Sequence, residues 1–249
     1  MALLTRGRPA LARDRSGGAR MTVVQHLEDL RRALIISALA WALATLVAFL
    51  FYGRIVDFLV ARAGLSKVGL YVTSPAGGLI FGLQIAMVVG LVGAAPIVIW
   101  QTWWFVSPGL HAHERRLVLP LIAATSSFFL MGVAVALFSL PLFMRLLLGL
   151  TAANLHYLPF ADALFGFVLL ITIAFGLVFE LPVAIFVLGV LRIISSGWLY
   201  RNRLYWIVAM GIAANLMTPG FDPISPLIVF VPLYLLWEGS ALLLRISGR

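Results

Sequence analysis

Hydrophobic positions in this chain run together in long uninterrupted blocks. Residues 33–53, 68–113, 117–144 and 204–221 contain no Asp, Glu, Lys or Arg, giving uncharged stretches of 21, 46, 28 and 18 residues. A helix needs about 20 apolar residues to cross a bilayer core, so blocks of this length predict membrane-spanning helices. Turn chemistry and isolated charges divide the pattern into six spans near 34–52, 77–106, 117–140, 163–190, 204–217 and 224–244. The second holds 30 residues, about 45 Å as helix. No polar residue supports cutting it, so it reads as one long helix, tilted or kinked near Pro96.

The last two spans read differently. Residues 204–217 would make a helix of about 21 Å against a hydrocarbon core of about 30 Å. The segment from Thr218 to Pro226 is a tight turn, in which Asp222 is placed to cap a helix opening with Pro223. Pro232 and Glu238 interrupt the final span early, so it too is expected to be short, with the bilayer thinned beside the hairpin.

Composition sharpens the picture. Apolar residues make up 63% and charged ones 11%, against roughly 45–50% and 25% in soluble domains. With a mean hydropathy of +1.08, the chain cannot cover itself with polar surface and must face lipid. There are no cysteines, which closes off disulfides, thiolate metal sites and cysteine nucleophiles. The net charge of +9 sorts by loop rather than forming a nucleic-acid patch. Residues 1–32 carry seven Lys or Arg, the loop with Arg115 and Arg116 two, the loop with Arg192, Arg201 and Arg203 three, and the C-terminal tail two; the other side has only Arg54, Arg62, Lys67 and Arg145. By the positive-inside rule both termini lie in the cytoplasm. Residues 1–20, with five arginines and a Gly pair, read as a disordered tail, and 21–249 as the spanning domain.

Few residues can carry chemistry. Glu180 is the outlier, inside the fourth span with 17 uncharged residues before it and 11 after. A carboxylate at that depth is costly unless a cavity, water or partner relieves it, so it is expected to face the protein interior; Pro182 just after it removes a helix hydrogen bond. Residues 25–32 form an amphipathic start to the first helix, with Val23, Leu27, Leu30 and Leu34 on one face and His26 with Asp29 on the other. Glu28 and Arg32 are spaced for an i,i+4 salt bridge, whereas Asp29 has Ala33 four residues on. Glu114 opens the third helix beside two arginines, either as a dipole-favourable acid or as a binding group.

Enzyme templates fail. There is no HExxH or G-x-S-x-G motif and no Gly-rich phosphate loop; Ser126, Ser127 and Ser139 have no histidine at their depth. No catalytic residue, metal ligand or cofactor is expected. A proton-coupled secondary transporter using Glu180 is the rival reading, favoured only by Pro96 and Pro182 as helix breakers.

Several ordered motifs resemble one family. His26-Leu-Glu-Asp-Leu-Arg31, Ser74-Pro75, Phe105-Val-Ser-Pro-Gly-Leu110, His113-Glu-Arg-Arg116, Phe175 to Pro182, Thr218-Pro with Asp222 to Ser225, and Pro232 to Glu238 are similar to the TatC family of twin-arginine protein translocase subunits, from Met21 to about Arg245. The resemblance implies an all-α, glove-like scaffold of six spans in the bacterial inner membrane. It implies a receptor for Arg-Arg signal peptides of folded proteins, driven by the proton-motive force, oligomeric, and partnered by single-span TatA- and TatB-type proteins. Carried over by motif, Asp29 and Glu114 would be the recognition acids, with His26, Arg31, Arg115 and Arg116 beside them. Two guanidinium groups fork onto two carboxylates in a way lysine reproduces poorly. Glu180, Thr218 and Asp222 would meet partners. Pro226 stands where the family often has Gln, and Gly77 where many relatives have an acid.

Overall fold

A computed structural model of the protein describes residues 23–65, 69–109, 115–149, 158–218 and 225–246. Among them β-type pairing is limited to an isolated parallel bridge between Tyr71 and Phe160; the rest is helix and turn. The helices are α1 (Val23–Leu50), α2 (Tyr52–Arg62), α3 (Gly77–Val106), α4 (Val118–Gly149), α5 (Ala161–Val178), α6 (Leu181–Val190), α7 (Ser196–Arg201), α8 (Arg203–Met217) and α9 (Ser225–Ile246), with 3-10 turns at Ser107–Gly109 and Arg115–Leu117. Among the described residues five segments are long and apolar enough to cross a membrane: α1, α3, α4, α5 with α6, and α9. α8 has 15 residues, about 22 Å of helix, and falls short of a full crossing.

Expectation and structure part at three elements. The final helix is not short: α9 runs 22 residues with Pro232 inside it. A proline costs less in a packed membrane helix, where neighbours re-satisfy the freed backbone, and Glu238 is neutralised by partners described below. α4 reaches Gly149, nine residues beyond the expected 140, and carries Pro141 within it. The stretch expected as an outer loop begins with a helix, α2, whose Ile55, Val56, Leu59 and Val60 pack inward while Arg54, Asp57 and Phe58 are exposed. Its 11 residues are too few for a span, which is why a search for long apolar runs passes over it.

The spans pack through small residues. α1 lies against α3, and at Gly90 the backbones come so close that an added Cβ would sit 2.6 Å from the Thr45 Cα. Trp41 Nε1 donates to the Met87 carbonyl oxygen at 2.8 Å across the same seam. Elsewhere α1 is bare: Leu27 and Leu34, expected on its apolar face, are 58% and 60% exposed. In a membrane protein that face can meet lipid, so the apolar stripe does not have to turn toward protein. α4 lies against α5, where a Cβ on Gly132 would overlap the Phe175 carbonyl. The main core, with Phe143, Phe175, Leu199, Leu233 and Trp237 fully buried, joins α4 and α5 to α6, α7, α8 and α9.

Candidate functional site

At one end of the bundle α1 begins and α3 ends. The His26 ring stacks on Phe105, with centroids 4.3 Å apart and planes 17° from parallel, so the start of α1 is held against the last turn of α3. α3 is closed off by Ser107, whose hydroxyl donates to the Trp104 carbonyl oxygen at 2.8 Å, and tied to α4 by Trp103 Nε1 donating to Thr125 Oγ1 at 3.2 Å. Asp29 lies one turn after His26 and is half-buried; Arg31 and Arg116 are exposed. Of the expected recognition set, His26, Asp29 and Arg31 on α1 and Arg116 at the entry to α4 are thus at the same end. Glu114 lies outside the described residues, as does the Arg115 side chain. Glu28 and Arg32 are both exposed and form no ion pair, since the pair found among the described residues is Arg203 with Glu238. A solvated pair of long side chains gains too little to hold one geometry.

Glu180 sits where the fourth span breaks. α5 ends at Val178, Phe179 and Glu180 form a turn, and α6 opens with Pro182 in its first two positions. The proline ring collides with the carbonyl four residues back, and four back from Pro182 is Val178, the last residue of α5. The Glu180 amide instead donates to the Leu177 carbonyl oxygen at 3.1 Å, a tightened turn. One carboxylate oxygen, Oε1, is buried with no hydrogen-bond partner. The inward placement of this oxygen agrees with the sequence reading, whereas the span expected to run unbroken over 163–190 is divided here into two helices.

At the turn after α8, Thr218 is buried and its hydroxyl donates to the Ala214 carbonyl oxygen at 2.9 Å. Its capacity is spent inside its own helix, closing α8. Asp222 and Pro223, expected to cap the last helix, lie outside the described residues.

One polar cluster was not singled out from the sequence. Arg203 at the start of α8 approaches Glu238 on α9 at 3.3 Å. The Tyr234 hydroxyl donates to the same carboxylate oxygen at 3.1 Å, and the Arg203 guanidinium lies 5.4 Å from the centre of the Tyr234 ring. The available signal was the spacing of Tyr234 and Glu238, four apart on a helix, with an arginine opening the preceding one.

A bundle of long apolar helices with few charged groups within the spans, and a half-buried acid at a helix break, defines a multi-pass membrane protein. Among the described residues no group of three or more His, Asp or Glu is placed to hold a metal ion. The family model for "Sec-independent protein translocase protein (TatC)" matches residues 25–232. The TatC protein of Carboxydothermus hydrogenoformans is 34% identical over 221 residues, covering 88% of this chain and 91% of its own. That of Aquifex aeolicus is 32% identical over 234 residues, covering 92% and 97%. A crystal structure described as the twin-arginine translocase receptor TatC superposes with a TM-score of 0.77 at 33% identity, over 90% of this chain and 100% of that one. This chain belongs to the TatC family of Sec-independent protein translocase proteins.

Proposed function

We propose that the protein is the signal-peptide receptor of a twin-arginine translocase, with Asp29 and Glu114 gripping the paired guanidinium groups of a cargo's leader. The observation that supports this most is the His26 to Phe105 stack. It holds the first turns of α1, and Asp29 with them, beside the end of α3, from which the chain runs through Glu114 into Arg115 and Arg116. An acid on α1 and an acid in the loop after α3 would offer two separate forks, as two adjacent arginines require. His26, Arg31 and Arg116 belong to the same end, with Arg115 next to Arg116 in the chain. The solved neighbour described as a receptor accords with this reading.

The rest of the proposal follows from charge and length. Six spans with both termini in the cytoplasm, α8 as the short fifth, satisfy the Lys and Arg asymmetry of the loops. Residues 1–20 form a tail outside the translocase domain of 21–249. The protein acts in the bacterial inner membrane with TatA- and TatB-type partners and further copies of itself, using the proton-motive force. It binds and performs no covalent chemistry. Glu180 and Asp222 mark the faces that partners meet, while Thr218, buried with its hydroxyl bonded inside α8, supports that turn rather than touching a partner; the unpaired Glu180 Oε1 is an acceptor a partner could satisfy.

Photocrosslinking of a twin-arginine signal peptide to membranes containing the protein tests the reading. Asp29→Ala and Glu114→Ala should each cut crosslinking about tenfold, as loss of roughly 1.4 kcal/mol does, with insertion in the membrane unchanged. Full crosslinking in both variants would remove the assignment. Proton-driven solute uptake by the purified protein alone in liposomes would favour the transporter instead.

A further inference from the structure

Beneath α2 lies a cavity of about 330 Å³ walled by four helices: Arg54, Ile55 and Phe58 come from α2, Val89 from α3, Leu137 from α4 and Val168 from α5. Its lining is apolar apart from Arg54 and Thr172. The Thr172 hydroxyl already donates to the Val168 carbonyl oxygen at 2.7 Å, so away from Arg54 the wall presents no free donor to water, and apolar space of this kind does not hold ordered water. Arg54 is exposed as well as lining, so it marks the mouth. Among the described residues its guanidinium has no carboxylate partner: it lies 5.8 Å from the centre of the Phe51 ring, and Asp57, one turn on, makes no ion pair with it.

We propose that this cavity holds an acyl chain of an anionic phospholipid whose headgroup phosphate is bound by Arg54. Size argues against a protein segment. A helix about 10 Å across takes roughly 120 Å³ per residue, so the space admits fewer than three residues. An extended strand would bring unpaired backbone groups to an apolar wall. A methylene is close in size to a water molecule, whose share of liquid volume is about 30 Å³, so about eleven methylenes fit, and an acyl chain has no polar group to strand. Charge supplies the other half, because a guanidinium fork matches phosphate oxygens in pairs. A headgroup without an ammonium leaves that pairing uncontested, which sets the preference for acidic over zwitterionic lipid. Such a lipid would fasten α2 to the spans beneath it.

Native mass spectrometry of the full chain, purified in mild detergent and washed free of loosely held lipid, tests this with phosphatidylglycerol, phosphatidylcholine and inorganic phosphate as probes. The expected result is about one phosphatidylglycerol retained per chain, no uptake of phosphate alone, and at least a threefold preference over phosphatidylcholine. Arg54→Gln, an exposed change that leaves the core intact, should abolish that preference. Val168→Phe and, on a different helix, Val89→Phe should fill the space and lower retention of both lipids. Equal retention of phosphatidylglycerol by wild type and Arg54→Gln overturns the proposal. So does exclusive capture of a peptide or partner helix by a photoreactive residue at position 89.

Discussion

Arg203 and Glu238 stand 35 residues apart in the chain and 3.3 Å apart in the fold, and together they let an acid live inside the last membrane helix. Each partner is more than a third exposed, so the pair by itself is worth little, as exposed pairs are. What it does is spare α9 an unpaired carboxylate two turns before its end. Tyr234 shares the load through its hydroxyl.

That arrangement predicts coupling. Arg203→Ala should lower the melting temperature in detergent, because it strands Glu238, whereas Arg203→Ala with Glu238→Ala should recover part of the loss. A coupling energy of about 0.5–1 kcal/mol in the double-mutant cycle is the expected outcome. Strict additivity would show the contact to be incidental.

The α1 to α3 seam depends on Gly90. Gly90→Ala places a methyl group against the Thr45 backbone, and the backbone cannot yield as a flexible side chain would. A loss of about 1–3 kcal/mol, typical of overpacking, should appear as a lower melting temperature, while Gly78→Ala, with open space around it, should be neutral within about 0.5 kcal/mol.

His26 anchors the start of α1. His26→Ala should speed hydrogen exchange over the first turns of α1, and His26→Phe should restore protection by restoring a stacked ring. If both variants exchange at the wild-type rate, the stack does not order that end, and Asp29 is not held by it.

Glu180 offers an unpaired oxygen at a helix break. Glu180→Gln keeps a carbonyl acceptor there and should retain most export of a twin-arginine reporter, whereas Glu180→Leu should lose it. Equal damage from both would mean that charge or proton transfer, not hydrogen bonding, is what the site supplies.

Legibility varied with the range of the interaction that decides each element. Pro182 acts within one turn, through its own ring and missing N–H, so a lost hydrogen bond there and an inward Glu180 could be read from the residues alone, although the span was expected to run on unbroken. Glu238 could not: one carboxylate in an apolar run looks like the end of a span until its partner on another helix is known. Pro232 misled in the same direction. α2 escaped notice because a short amphipathic helix lying on the spans with one face exposed has no long apolar signature, and the burial of its inner face against α3 and α4 becomes visible only once those helices are in place.

Local chemistry written in the chain was therefore enough to establish that it crosses the membrane repeatedly and where the cores of most of its long helices lie, because lipid imposes length and hydrophobicity residue by residue. Which helix faces touch was settled by folding alone. His26 meets Phe105 across 79 residues, Thr45 meets Gly90, and Arg203 meets Glu238; in a bilayer, where every apolar face is equally content with lipid, hydrophobic pattern does not choose partners, and close packing and paired charges do.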